Sequence, residues 1–208
     1  MQNFLNSRLY QWMDVAANFF FLNLLWLLAC IPIVTIFPAT AALFAVVRGW
    51  IRETETGFLL PFLRYFRENF FQSFIVGTVW SLIGLILVVD FVFVRQITSW
   101  VRGPLLALLA LLAVVYGGTA VYLFPVMVQY QTGWVQIIKN SFLVAFSAPG
   151  STLLCLLIFV LAGLASYVFP ISVLVSMCLA AYLTYYLSHR LFQQIESTWE
   201  EKTPHNHR

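Results

Sequence analysis

The ionisable residues of this chain are gathered into short stretches, and between them lie long runs that carry no charge. Residues 15–47, 103–138 and 140–188 contain no Asp, Glu, Lys or Arg. An α-helix rises 1.5 Å per residue and crosses the hydrocarbon of a bilayer in about 20 residues. Each run is therefore long enough for one crossing, and the last, at 49 residues, for two. Only 9 % of the chain is charged and 62 % is hydrophobic, with a mean hydropathy of +0.88. Soluble domains carry about 25 % charged residues and still expose roughly a third of their unfolded surface. Water is not a solvent this composition tolerates. The expected fold is all-α, a polytopic transmembrane helical bundle in a single domain.

The runs predict five spans, near 15–47, 70–93, 104–131, 150–167 and 171–188, followed by a cytoplasmic tail at 190–208. Phe169-Pro170 reads as the turn between the last two spans. Pro32 and Pro38 fall in the first run, and each removes a backbone donor and crowds the preceding turn. That run reads as a kinked or broken helix whose second, Ala-rich piece covers 39–50. Residues 38–50 number only thirteen, too few to cross alone. Broken helices persist at membrane depth where protein or trapped water satisfies the freed backbone groups.

Cytoplasmic loops of membrane proteins carry an excess of Lys and Arg. With five spans, one side holds Arg48, Arg52, Arg64, Arg67, Lys139, Arg190, Lys202 and Arg208, and the other only Arg8, Arg95 and Arg102. This asymmetry predicts a cell-membrane protein with its N-terminus outside and its C-terminus in the cytoplasm. Trp50, Trp100 and Trp134 fall at span ends, where aromatic belts form.

Residues 57–69 differ from the spans. Leu59, Phe62, Leu63, Phe66 and Phe70 recur at helical spacing, with Arg64, Arg67 and Glu68 off that face. Pro61 suits a first helical turn. The pattern predicts a short interfacial amphipathic helix, lying on the lipid surface or docked on the protein's own spans. A weak internal repeat accompanies it. Pro38, Gly49, the Arg-bearing helix and Asn69 have counterparts in Pro125, Gly133, Trp134 to Lys139, and Asn140, although the spacings are 31 and 15 residues. Rows of small residues predict where helices meet, because lipid supplies no hydrophobic drive between them. These are Ser172, Ser176, Ala180, Thr184 and Ser188, then Ser73, Gly77, Ser81 and Gly84, and also Gly117-Gly118.

Reactive chemistry is sparse. Cys30, Cys155 and Cys178 sit in apolar runs without metal-like spacing. Leu27-Leu28-Ala29-Cys30 resembles a lipoprotein cleavage box, but the apolar run continues past it and no basic segment leads into a clean apolar core, so the N-terminus is read as retained. His205-Asn206-His207 lacks the ligands of a good metal site. No phosphate-binding loop, paired-carboxylate motif or nucleophile with a base is present. Neither an enzyme, a cofactor, a metal nor a nucleic-acid partner is expected. Asp90 is the one candidate intramembrane charge, suited to a helix-end ion pair with Arg95 or Arg102, or to ion coupling.

The run Asn23 to Trp26, Pro32 to Thr35 and Pro38 to Leu43, followed by the block Phe62 to Ser73, resembles the signature of the YesL family of bacterial membrane proteins, a domain of unknown function. Phe124-Pro125 and Ala148-Pro149 also sit where that family places such residues. The resemblance implies a plasma-membrane protein of Gram-positive bacteria, encoded beside carbohydrate ABC transporters, with no established site residues to carry over. The function expected on that basis is a non-catalytic accessory partner of a carbohydrate (ABC-type) uptake system, with the bilayer and transporter subunits as partners. The alternative is a small oligomeric transporter or channel for a small molecule. Pro32, Thr35, Pro38, Thr40 and Asn69 are the candidate residues, because a broken membrane helix is costly unless it serves a purpose. The competing reading gives them only kinking and packing.

Overall fold

A computed structural model describes residues 2–55, 57–97, 100–130, 132–169 and 172–202. Among them the chain is helical with no strand. The helices are α1 (Gln2–Ala29), α2 (Ile36–Ile51), α3 (Leu59–Glu68), α4 (Phe70–Gln96), α5 (Arg102–Gln129), α6 (Trp134–Ser147), α7 (Pro149–Val168) and α8 (Val173–Lys202), with a 3-10 turn at Ile33–Thr35 before α2. By length and composition four stretches suffice to cross a membrane: Ile33–Ile51, Phe70–Gln96, Arg102–Gln129 and Pro149–Val168. Val15–Ala29 is a shorter apolar stretch.

The first charge-free run is two antiparallel helices rather than one kinked span. Phe19 in α1 packs its ring 5.4 Å from that of Trp50 near the end of α2. Trp26 donates its indole N–H to Thr40 at 3.2 Å. The expected second piece covers 39–50, and α2 starts three residues before it, with Pro38 in its first turn, where the missing N–H would have had no helical partner. Ala39, Ala41, Ala42 and Ala45 then favour helix strongly and are buried.

The packing of α1 does not support the expected orientation, with the N-terminus outside and the C-terminus in the cytoplasm. α1 runs antiparallel to α8, since Asn23 Nδ2 donates to the Val173 carbonyl at 2.7 Å while Phe19 lies 5.5 Å from Tyr182. The N-terminal end of α1 and the C-terminal end of α8 therefore leave the bundle together, not on opposite sides. Arg8 joins the cation-rich end, and Arg95 and Arg102 remain at the other. Within the expected tail at 190–208, α8 continues through Lys202, because Leu191 to Lys202 is rich in Gln, Glu and other helix formers. His205 and His207 lie outside the described residues, as does Pro170 of the expected turn.

α2 is the core. It lies between α1, α3, α4, α5 and α8, and ten of its sixteen residues are buried. Phe44 stacks on Phe124, 6.1 Å away, and Phe62 from α3 fills the same cluster. Phe37, at its start, rests on Gly77, where an added Cβ would fall 2.1 Å from the ring. Gly77 is seven residues into α4, with nineteen more to follow. At 1.5 Å per residue α2 is about 24 Å long, short of the roughly 30 Å hydrocarbon, whereas α4 is about 40 Å. The far half of α4 and the near half of α5 thus extend past α2 as a hairpin. It is held at Trp80 and Tyr116, whose rings stack at 4.8 Å; Tyr116 OH also donates to the Trp80 carbonyl at 3.1 Å.

The small-residue rows face inward for the most part. Ala180, Thr184 and Ser188 are buried, Ser166 and Ser176 share a 3.1 Å hydrogen bond between α7 and α8, and Gly118 admits Thr152. Ser81 is exposed and does not join its row.

Candidate functional site

The candidate residues fall at two places. Pro32, Thr35, Pro38 and Thr40 gather at the α1–α2 turn; Asn69 lies beyond the other end of α2, between α3 and α4. The residue preceding a proline is driven out of the helical region, and α1 accordingly ends at Ala29, shortly before Pro32. The turn leaves carbonyls without partners, and in lipid such groups cost several kcal/mol. Thr35 answers that problem: its Oγ1 lies 2.6 Å from both the Ala29 and the Pro32 carbonyls, and its backbone N–H also donates to Pro32 at 2.9 Å. The break is closed by the protein's own hydroxyl. Thr40 accepts from Trp26 and donates to the Ile36 carbonyl at 2.7 Å.

Asn69 is a one-residue elbow. Its side-chain amide donates back to the Tyr65 carbonyl at 3.1 Å, and its own carbonyl accepts from Ser73 Oγ at 2.5 Å and Ser73 N–H at 2.9 Å. A second elbow, Ala148, joins α6 to α7. There Pro149 forces the preceding residue out of helix, and Thr152, again four residues on, returns both its Oγ1 and its N–H to the Ala148 carbonyl at 3.0 Å. The repeat thus pairs α2–α3–α4 with α5–α6–α7. The counterpart of Asn69 is Ala148, not Asn140, which sits inside α6. The two prolines are not equivalent either, since Pro125 is internal to α5.

The structure assembles a third group that sequence reasoning missed. At the cation-rich end, Arg48 of α2 donates to the Val128 carbonyl in the last turn of α5, where helix carbonyls concentrate negative potential. One turn on, Arg52 donates to Gln129 Oε1 at 3.0 Å. The same oxygen accepts from Tyr185 OH of α8 at 2.9 Å. Three helices meet in this knot. Arg48 and Arg52 four apart on one face were a visible signal, but partners 80 and 77 residues away leave no local trace.

α3 is fastened beside the knot. Gly57, at φ +84°, turns the chain into it, a conformation open to glycine at little cost, and its carbonyl accepts from Trp50 Nε1 at 2.8 Å. Arg64 pairs with Glu55, a hydrogen bond that raises the Arg64 pKa above its ordinary value. Tyr65 OH donates to the same carboxylate at 3.3 Å. The helix docks on the protein's own bundle: Pro61 and Phe62 are buried against it, while Leu59, Leu60 and Leu63 remain exposed with Arg64 and Arg67.

Asp90 is exposed on α4. Among the described residues the recorded ion pair is Arg64–Glu55, while Arg95 lies over the Phe91 ring. No three His, Cys, Asp or Glu side chains gather among the described residues. Cys155 and Cys178 are buried as free thiols and Cys30 is partly so.

Residues 19–91 match a family described as "Protein of unknown function, DUF624". That segment holds the α1–α2 turn, Arg48, Arg52, α3 and the first elbow, but not Gln129 or Tyr185. Three proteins of Bacillus subtilis (strain 168), each called uncharacterized, are similar. YesL is 29 % identical over 138 residues, 64 % of each chain. YteU is 31 % identical over 147 residues, 67 % of this chain and 64 % of its own. YesV is 26 % identical over 156 residues, 73 % and 75 % of the two chains. The matched region thus spans just under two thirds of YesL and of YteU. No solved structure matches the chain. On these matches residues 19–91 of the chain are similar to the DUF624 family, and the chain is a relative of YesL, YteU and YesV.

Proposed function

We propose that this multi-pass membrane protein is a non-catalytic accessory partner of a carbohydrate (ABC-type) uptake system, and that it meets its partner at the cation-rich end. The observation that supports this reading is α3: a short helix locked by Gly57, Glu55 and Asn69, with Leu59, Leu60, Leu63, Arg64 and Arg67 left outward. A rigid apolar and cationic ledge at the membrane surface suits a partner's membrane-proximal segment. The proposal puts that end on the cytoplasmic side, a reading that the cation excess supports. The carbohydrate system comes from the resemblance to the YesL family alone.

Purification of the tagged protein from its own host's membranes tests the proposal. Transporter subunits recovered in stoichiometric amount, and lost with the double substitution Leu60→Glu and Arg64→Glu, are the expected result. A clean preparation without them overturns it. The alternative, a small transporter, draws on Asp90 and on the hairpin of α4 and α5 that outruns the core. Flux into proteoliposomes that falls in Asp90→Asn would favour it, and absence of flux across a broad sugar panel would retire it.

A further inference from the structure

Between α4, α5 and α6 the outer surface of the bundle carries a groove of about 350 Å³. Trp80 and Thr119 form its inner part, and Val135, Ile138 and Phe142 its wall along α6. Lys139 and Trp134 complete the lining. Thr119 turns its hydroxyl back to the Val115 carbonyl at 2.8 Å, so the interior offers methyl, methylene and ring surface. No acidic residue lines it.

The depth of the groove is set by its neighbours. Gln72 of α4 donates to the Thr132 carbonyl in the loop between α5 and α6, which pins the start of α4, the end of α5 and the start of α6 together at the cation-rich end. Trp134 opens α6 there, half exposed, as an interfacial tryptophan sits. From Trp134 to Phe142 the groove follows α6 for eight residues, about 12 Å, a length that takes the upper part of an acyl chain. Lys139 is exposed, and a lysine stem reaches along apolar surface to place its ammonium at the headgroup level.

We infer that the α4–α5–α6 groove is a binding site for an anionic glycerophospholipid, one acyl chain lying against Trp80 and Thr119 and the headgroup phosphate meeting Lys139. Charge and shape select this occupant together. The walls are apolar and face the hydrocarbon, and the cation at the interfacial end is complementary to a phosphodiester with net negative charge. The indole N–H of Trp80 is buried without a partner among the described residues, so the ring serves the groove as an apolar face and as a reporter inside it.

The test uses the full chain in phosphatidylcholine vesicles containing a small fraction of lipid brominated in mid-chain, either phosphatidylglycerol or phosphatidylcholine. Bromine quenches tryptophan on contact, and the Trp80 contribution is obtained by difference from Trp80→Phe. Brominated phosphatidylglycerol is expected to quench Trp80 about fivefold more effectively than brominated phosphatidylcholine, the preference one basic residue near an anionic surface confers. In Lys139→Gln that preference falls to parity. Ile138→Trp fills the groove and protects Trp80 from both lipids. Equal quenching by the two lipids in the unmodified protein, or a preference that survives Lys139→Gln, overturns the proposal. Lys139 is a surface residue, so that comparison stands even where Ile138→Trp does not fold.

Discussion

α2 and the far half of α4 are equally helical and nearly equally apolar, and they occupy opposite situations. In α2 ten residues are buried, from Pro38 to Gly49. In α4 the buried residues are Ser73, Val76 and Gly77, all in its first third, and nearly every residue from Ser81 onward is exposed. The difference lies in side-chain size, not hydropathy. α2 is built on Ala39, Ala41, Ala42, Ala45 and Gly49, whereas the far half of α4 offers Leu82, Ile83, Leu85, Ile86, Val88 and Val89. Where the solvent is hydrocarbon, large apolar residues gain nothing by turning inward, and small ones let backbones approach.

The comparison is sharpest at the point where the two helices touch. Gly77→Leu drives a side chain into Phe37 and is expected to cost about 3 kcal/mol, the upper range for overpacking; thermal unfolding in detergent measures it. Leu85→Ala, on the lipid face of the same helix, is expected to stay within about 0.5 kcal/mol, as surface changes do. Equal effects would erase the distinction between the regions. Arg48→Met removes the cation that holds the Val128 carbonyl, and its expected cost is about 2 kcal/mol, within the range for hydrogen bonds to charged groups. Thr35→Val leaves the turn carbonyls of Ala29 and Pro32 without their hydroxyl, for a loss of about 1 to 2 kcal/mol. Hydrogen exchange at the turn should quicken in that variant before the rest of the bundle loosens. Smallest among the lost hydrogen bonds, Thr40→Val forfeits the acceptor for Trp26 and should cost about 0.6 kcal/mol, the average for hydrogen bonds between membrane helices.

Much of the bundle is legible in the sequence because membrane helices obey length and charge rules that read locally. The charge-free runs locate helical material, and the Arg-bearing amphipathic pattern marks α3. Local rules fail where two solutions share one pattern. Pro38 reads as a breaker, yet a proline in a first turn is harmless, so one pattern fits both a kinked span and a hairpin. Asn140 looked like the partner of Asn69 by residue type, while the true counterpart, Ala148, owes its geometry to the proline that follows it. The knot of Arg48, Arg52, Gln129 and Tyr185 was illegible for another reason. It joins α2, α5 and α8, and no periodicity links positions that far apart.

The two elbows carry a consequence for how such a chain can change. Each unit of long helix, short helix and long helix leaves one end of the bundle and comes back to it, so the number of times it crosses the bundle is even. A segment of that kind can be gained, lost or lengthened in a gene without inverting anything that follows. The direction of α8 and the side on which its end emerges would be inherited intact across such an event.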